Sequence, residues 1–271
     1  MRKGQPLFAP GTFDGATLGS AYAETLNQNN GTGEAKRVSK KPSLPVVLIV
    51  CAKYHELDQA EICAREVAKN FEDVKKPVQH YRAKTKDYEV IFVSPDKPGP
   101  VPTASFVPSA IAAFEPNYVT MIGCCATLAE NKRRLNTVLL CERAFMFDHE
   151  NPPNRDVYSC DVTFAIQERW EKSLRLPTQK GFIITCSSIE ENPEETLGKH
   201  ACHGLEMESA AVWLAVDDFC RLTGKAVGKL PIFKGWSDCG GGKAERDANK
   251  RSATLNAAHV AVSYLNHLFG Q

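Results

Sequence analysis

The chain has 271 residues, of which 43% are hydrophobic and 24% charged, which is enough for one large globular domain or two small ones. Its formal net charge of +1 gives no overall field to attract nucleic acid. No apolar run approaches the roughly 18 residues of a membrane-spanning helix, so the sequence predicts neither a nucleic-acid nor a membrane partner.

The ten cysteines predict free thiols rather than metal ligands. None forms a CxxC pair, the spacing typical of a zinc site, and several lie inside apolar runs where cysteine packs as a small core residue. The N-terminus lacks the apolar segment of a secretory signal. We therefore expect no bound metal and a reducing, cytoplasmic location.

Residues 1–45 are polar and rich in Gly, Asn, Ser and Lys, which predicts a flexible N-terminal leader. The pattern then changes. "VVLIVCA" (46–52) predicts a strand that is buried on both faces, and apolar residues at helical spacing predict an amphipathic helix over 56–71. Residues 78–94 predict a hairpin around a lysine-rich turn.

The remainder of the chain alternates between strands and helices. The pattern predicts strands at 118–126, 137–142 and 181–188, a strand with a following glycine-rich loop at 230–242, and helices at 104–114, 161–174, 207–222 and 248–269. Such alternation is typical of an α/β fold. We therefore predict one α/β domain over 46–271 around a mixed, largely parallel sheet.

Four of the predicted strand ends carry unusual polar or small residues. They are "CAKYHE" (51–56), "GCCAT" (123–127), "CSSIEE" (186–191) and "GWSDCGGG" (235–242). Ligands of open α/β sheets bind beyond the carboxyl ends of the strands. We therefore expect these four strand exits to line one site.

Each exit also has a plainer interpretation. Asp238 is a candidate general acid, but Ser-Asp-Gly is a common turn sequence. Glu56 lies in a first helical turn, where the dipole favours an ionised carboxylate that could activate water, although acids are common there. The "GCCAT" turn offers backbone N–H groups to a hydroxyl or an anion, or it serves packing alone.

The segment "LEMES" (205–209) places Glu206 and Glu208 two residues apart. On a regular helix two such side chains point about 200° apart and cannot serve one ligand, whereas in an extended or capping turn they lie on the same side. A carboxylate can accept hydrogen bonds from two vicinal hydroxyls. A ribose cis-diol fits that chemistry; the alternative is a helix cap and an exposed acid.

These exits, in this order, resemble those of the nucleoside phosphorylase/nucleosidase superfamily, which includes purine nucleoside phosphorylases and methylthioadenosine/adenosylhomocysteine nucleosidases. The resemblance covers roughly 45–269 and rests on "EMES" before "AAV" and on "SD" before Gly about thirty residues later. It implies a three-layer α/β/α sandwich with a mixed, largely parallel central sheet. It also implies a homo-oligomer, dimer or trimer, that binds a purine nucleoside or nucleotide without a metal or organic cofactor.

The resemblance implies a sugar site in "LEMES". Glu208 would hold the ribose 2′- and 3′-hydroxyls, and Met207 would pack under the sugar. Glu206 would support the turn and touch the 2′-hydroxyl.

The resemblance also implies a base site and a water site. Asp238, beside Ser237, would protonate the purine N7 as the glycosidic bond breaks, and Glu56 would activate the attacking water. Residues near the base would come from 186–190, including Ser188 and Ile189.

The phosphate site of the phosphorylases is altered here. Phosphorylases place an Arg before the "GCCAT" turn and a Ser in it, where this chain has Met121 and Cys124, so Cys124 becomes a candidate substrate contact. Arg251 alone is too little for a dianion.

We therefore predict hydrolysis of the N-glycosidic bond of a purine ribonucleoside or nucleotide to free base and ribose sugar. One alternative is a phosphate-dependent nucleoside phosphorylase with a rebuilt phosphate site. A further alternative is a nucleoside-binding protein on the same fold that does not turn its ligand over.

Overall fold

The computed structural model describes residues 44–68, 70–74, 80–95, 97–147, 157–161, 170, 174–186, 201–239 and 243–270. The leader predicted over 1–45 lies almost entirely outside these residues and stays a prediction. Ser188, Ile189 and most of the helix predicted at 161–174 also lie outside them.

Strands and helices alternate along most of the chain. The strands are β1 (Val46–Cys51), β2 (Asn70–Val74), β3 (His80–Lys84), β4 (Glu89–Val93), β5 (Tyr118–Ala126), β6 (Val138–Phe147), β7 (Val157–Ser159), β8 (Thr178–Cys186), β9 (Gly204–Glu206), β10 (Gly228–Lys229) and β11 (Ile232–Asp238). The helices are α1 (Tyr54–Val67), α2 (Pro100–Phe114), α3 (Ser209–Thr223) and α4 (Lys243–Phe269), with a 3₁₀ turn at Ala129–Arg134. The predicted mixed α/β class is confirmed.

The strands form one mixed sheet. β1 pairs in parallel with β4 and β5, and β5 pairs in parallel with β11. β2, β3 and β4 are antiparallel neighbours, so the predicted hairpin is confirmed. β6, β8 and β9 run parallel to one another and antiparallel to β11 and β5. The three-layer arrangement and the largely parallel character of the sheet stay predictions.

β1 is buried on both faces, as its all-apolar sequence predicts. Val47 and Ile49 belong to one core cluster, which they share with residues of α1 and α4. Leu48 and Val50 belong to a second cluster, which they share with residues of α2 and α3. Successive side chains of a strand point to opposite faces of the sheet, which explains this division. Helices α1 and α4 therefore pack against the same face of β1.

The structure corrects several predicted bounds. The helix predicted over 56–71 ends at Val67, because Asn70 and Phe71 pair with β3 as part of β2. The last helix begins at Lys243 rather than 248. All ten cysteines are free thiols. No helix in the described ranges is both long enough and apolar enough to cross a membrane.

Candidate active site

The carboxyl ends of β1, β5 and β11 lie side by side, because β5 pairs in parallel with both of the other strands. Antiparallel pairing of Ala126 with Leu205 brings "LEMES" and the start of α3 to the same edge. Three of the four predicted exits therefore meet there. The fourth, beyond Cys186, lies outside the described residues.

Glu56 connects the exits of β1 and β5. It is the third residue of α1, and its side chain turns back so that Oε2 accepts hydrogen bonds from the backbone N–H of Ala52 at 2.7 Å and of Lys53 at 3.3 Å. Its Oε1 accepts the N–H of Cys124 at 3.3 Å. The N–H group that the "GCCAT" turn offers to an anion is therefore already bound to a carboxylate of the chain itself.

Gly123 makes this approach possible. A Cβ atom at position 123 would lie 2.8 Å from Oε1 of Glu56 and 3.1 Å from Nζ of Lys234. Because real Cβ atoms essentially never come as close as 2.8 Å to a heavy atom, any larger residue would displace the carboxylate.

The Cys124 thiol is close to Glu56 and is also influenced by the end of β11. Its Sγ is 3.8 Å from Oε1 of Glu56, and the Ser237 hydroxyl and the charge of Asp238 also act on it. Burial, and then the charge of Glu56, raise the pKa of the thiol to about 12. The thiol is therefore protonated at neutral pH and can donate to the carboxylate.

Lys234 is a central residue of the site that the sequence argument missed. It lies on β11 with no exposed surface, and its Nζ is 2.9 Å from Oε2 of Glu206 and 3.8 Å from Oε2 of Glu208. Burial lowers the pKa of Lys234, but the charges of Glu206, Glu208 and Glu56 outweigh burial and raise it. A lysine inside "PIFKGW" was the available signal, because a buried charge requires a partner.

Glu206 is saturated by protein donors. Its oxygens accept the Thr185 hydroxyl at 2.6 Å and the backbone N–H groups of Glu208 and Ser209 at 2.9–3.0 Å, in addition to the ion pair with Lys234. Burial raises the pKa of Glu206, but Lys234 and these hydrogen bonds outweigh burial and lower it. Such an environment favours a structural carboxylate that holds the turn before α3.

Glu208 is more available to a ligand than Glu206. Oε1 accepts one hydrogen bond, from Gly99 N–H at 2.8 Å, and Oε2 faces Lys234 at 3.8 Å. Burial, followed by the charges of Glu206 and Glu56, raises its pKa to about 7, while Lys234 opposes the shift. Because "LEMES" is a short strand and a cap rather than a helix, both glutamates point to the same side.

Met207 lies between the two glutamates and is only partly buried. Its terminal methyl would lie 3.8 Å from a Cβ at Gly99. Met207 therefore lies beside the loop that leads into α2, and the predicted contact below a sugar stays a prediction.

Asp238 ends β11 and is 6% exposed. The pairing of β11 with β5 shifts register between Trp236 and Asp238, which is a β-bulge at Ser237. Ser237 Oγ lies 2.8 Å from Oδ2 of Asp238, and the backbone oxygen of Asp238 accepts the N–H of Thr127 at 2.8 Å. Bulges re-aim side chains beside active sites, and this one fixes Asp238 at the edge shared with Glu56.

This arrangement has the groups that acid–base chemistry and the binding of hydroxyls require. Three carboxylates surround one ammonium, and a fourth carboxyl stands beside a serine hydroxyl. In the part of the chain that the structure describes, no group of three His, Cys, Asp or Glu side chains is placed to hold a metal ion.

Comparison with solved structures identifies similar folds. Futalosine hydrolase of Helicobacter pylori matches with a TM-score of 0.67 and 16% identity, over 83% of this chain and 98% of that chain. The 5′-methylthioadenosine/S-adenosylhomocysteine nucleosidase of the same organism, bound to butyl-thio-DADMe-Immucillin-A, gives 0.67 and 16% over 83% and 99%. The Neisseria meningitidis nucleosidase, bound to methylthio-immucillin-A, gives 0.66 and 16% over 83% and 100%.

No protein-family profile and no curated protein sequence matches the chain. The likeness is therefore one of structure, and it extends over nearly the whole length of each nucleosidase. The chain therefore shares the fold of these nucleosidases, as the resemblance of its strand exits implies.

Proposed function

We propose that the protein hydrolyses the N-glycosidic bond of a purine ribonucleoside or nucleotide and releases the free base and the ribose sugar. The similar solved structures are nucleosidases and a futalosine hydrolase, some of them bound to nucleoside analogues. The proposal includes the three-layer sandwich and a homodimer or homotrimer, as the resemblance implies.

The hydrogen bond from Cys124 N–H to Glu56 carries the choice of water over phosphate. A phosphorylase needs donors at this turn for a phosphate anion. Here the carboxylate of Glu56 already accepts the hydrogen bond from this donor. Glu206 and Glu208, which contact Lys234, add further negative charge nearby. A phosphate dianion beside these groups would be repelled, whereas a water molecule can donate a proton to Glu56.

The mechanism divides the reaction among three carboxyl groups. Asp238 donates its proton to N7 of the purine, which neutralises the negative charge that develops on the base as the bond from C1′ to N9 breaks. Such proton transfer typically contributes about 10²–10⁴-fold to the rate. Glu56 takes a proton from water on the opposite face, and the water oxygen forms the new bond to C1′.

Glu208 binds the sugar in this proposal. Its carboxylate accepts the ribose 2′- and 3′-hydroxyls and stabilises the positive charge of the oxocarbenium-like transition state. Met207 packs under the ring. Glu206 and Lys234 hold Glu208 in position, because Glu206 accepts the Glu208 backbone N–H and Lys234 faces its carboxylate.

Chromatography of the products of purine nucleosides and nucleotides, with and without phosphate, tests the proposal. We expect free base and free ribose sugar at a rate that phosphate does not increase. Formation of ribose 1-phosphate would establish the phosphorylase alternative. If calorimetry detects nucleoside binding while no base is released from any substrate, the protein is a binding protein on this fold.

A further inference from the structure

Helices α1 and α4 lie side by side and run in the same direction. Near their middles, Cys63 Sγ is 3.6 Å from Nδ1 of His259. Near the start of α1, the imidazole of His55 lies within electrostatic range of Lys250 and Arg251. Residues 55 to 63 of α1 therefore run alongside residues 250 to 259 of α4.

The first turns of α4 therefore extend past the N-terminus of α1. Lys250 follows the first residue of α4 by about two turns, which span about 10 Å. These first turns of α4 lie at the edge of the sheet that carries Glu56 and Asp238. The Cys239 N–H lies 3.4 Å from Glu245 Oε2, and this contact connects α4 to the end of β11. The start of the α1–α4 junction therefore borders the candidate active site.

Positive charge collects at this junction. Lys53, the N-cap of α1, and Arg251 are both exposed, and neither has an ion-pair partner among the residues whose positions the structure gives. Lys250 pairs with Asp247 at 2.7 Å. Burial lowers the pKa of His55, and the charges of Lys250, Lys53 and Arg251 lower it further, while Glu56 opposes them.

The imidazole of His55 adds a polar group that lacks a partner. Its Nε2 is buried and makes no hydrogen bond in the described part of the chain. Its other polar neighbour, Glu56, already accepts three backbone N–H groups. An anion at the junction would supply a counter-charge for Lys53 and Arg251 and an acceptor for a hydrogen bond from the imidazole of His55.

We propose that Lys53, His55, Lys250 and Arg251 form a subsite for a phosphoryl group at the border of the nucleoside site. Arg can bind phosphate through two parallel N–H donors, and Lys acts as a point charge. The first backbone N–H groups of α1 add to the attraction, because a helix N-terminus favours anions.

The subsite differs from the surroundings of the Glu56 carboxylate. That carboxylate accepts the N–H groups of Ala52, Lys53 and Cys124 and lies beside Gly123 of β5. Lys53, Lys250 and Arg251 instead act electrostatically on the imidazole of His55. The phosphoryl group has two sources: the 5′-phosphate of a nucleotide substrate, or free orthophosphate. The first of these sources rests on the proposed function and narrows the substrate class to a nucleotide.

Binding measurements test the subsite without requiring turnover. Calorimetry would compare ribose 5-phosphate, ribose and orthophosphate on the wild type, on the double variant Lys53→Ala/Arg251→Ala, and on the control Arg221→Ala/Lys225→Ala. The control removes the same charge from exposed residues at the far end of α3. We expect ribose 5-phosphate to bind at least about tenfold tighter than ribose, and the double variant alone to lose that difference.

A second readout reports directly on His55. Binding of ribose 5-phosphate or orthophosphate should raise the pKa of His55, because an anion offsets the neighbouring cations. NMR of the imidazole C–H resonances would measure this pKa. Orthophosphate binding without any preference for ribose 5-phosphate over ribose would assign the subsite to free phosphate. Equal binding of all three ligands to wild type and double variant, with an unchanged His55 pKa, would overturn the subsite.

Kinetics separate this inference from the proposed function. For a nucleotide hydrolase, the double variant should lower kcat/KM for adenosine 5′-monophosphate about tenfold relative to that for adenosine. If no substrate is hydrolysed but the binding results hold, the proposed function fails and the subsite stands. If both substrates are hydrolysed with the same ratio in all variants, the proposed function stands and a substrate phosphate at the subsite is overturned.

Discussion

The ammonium of Lys234 lies 2.9 Å from the carboxylate of Glu206, and neither side chain is more than 3% exposed. Glu208 approaches the same ammonium at 3.8 Å, and Glu56 acts on it electrostatically. One buried positive charge therefore serves three carboxylates. Glu206 has the closer contact with Lys234 and several hydrogen bonds, which lower its pKa, whereas burial and the charges of Glu206 and Glu56 raise the pKa of Glu208.

Replacing Lys234 by Met should destabilise the protein strongly. Removing one partner of a buried ion pair typically costs about 3–5 kcal/mol, because the remaining charge is left uncompensated. Urea denaturation would measure the free energy of unfolding. Lys229→Met is a matched control, since Lys229 pairs with Asp217 at 2.6 Å but that carboxylate is 48% exposed, and it should cost less. Equal losses in the two variants would contradict the central role of Lys234.

Ligand affinity should depend on the ionisation of Glu208. The carboxylate accepts hydrogen bonds from two hydroxyls more strongly when it is ionised, and its pKa is raised to about 7. Nucleoside affinity should therefore increase as the pH rises from about 6 to about 8. Calorimetry at a series of pH values would detect this increase. Glu208→Gln should bind more weakly and without that pH dependence; a wild-type affinity that falls over the same range would refute the assignment.

The same pKa predicts the pH dependence of stability. A carboxyl whose pKa is raised by folding binds its proton more tightly in the native state, so its contribution to stability is lost as the pH rises. The free energy of unfolding of the wild type should fall relative to that of Glu208→Gln between pH 4.5, the ordinary pKa, and about 7. Above that range the difference should be constant. Urea titrations of the two proteins at each pH would measure this difference in the free energy of unfolding. If the pKa of Glu208 were not raised, the difference would not change with pH over this range.

Replacing Asp238 by Asn should separate chemistry from binding. Asn keeps the size of the side chain and its contact with Ser237, which lies 2.8 Å away, but it cannot supply a proton to the base. We expect base release to fall by about 10²–10⁴-fold, with nucleoside affinity within a few-fold of wild type. Chromatography and calorimetry on the same preparation would give both values. Asp218→Asn provides the control, because the Asp218 side chain is 45% exposed. Loss of binding together with turnover would point to a structural role for Asp238.

The sequence predicts the parts of this site that depend on local pattern. β1 and β5 are continuous apolar runs, so their existence and their exits can be inferred without tertiary information. Because the carboxyl ends of neighbouring parallel strands meet at one edge, Glu56 and Asp238 could be assigned to the same site.

The remainder depends on contacts that are distant in sequence. Lys234 contacts Glu206 only because β11 and β9 both flank β5, and β9 itself is three residues long, too short for periodicity to reveal. The hydrogen bond that Glu206 accepts from Thr185 could not be inferred either, because Thr185 lies on another strand, β8. Likewise, Lys250 and Arg251 become neighbours of His55 only through the packing of α1 against α4.

Gly123 tests whether the position of Glu56 matters for catalysis. In Gly123→Ala the new methyl would lie 2.8 Å from Oε1 of Glu56 and 3.1 Å from Nζ of Lys234, so the carboxylate must move away from Cys124 N–H. A displacement of about 1 Å can cost about 10²-fold in rate. We therefore expect kcat for base release to fall by at least about tenfold, with a smaller change in KM, because the proposed ribose contacts are made by Glu208 and not by Glu56.

The matched control for this variant is Gly224→Ala. Gly224 caps α3 with φ +71°, and a Cβ there meets nothing within 4 Å. That substitution should reduce the free energy of unfolding by about 1 kcal/mol through backbone strain and leave kcat at the wild-type value. Steady-state kinetics and urea denaturation on both variants would distinguish the effects. If Gly123→Ala lost stability but kept its kcat, the position of Glu56 would not limit the reaction, and its role in activating water would have to be abandoned.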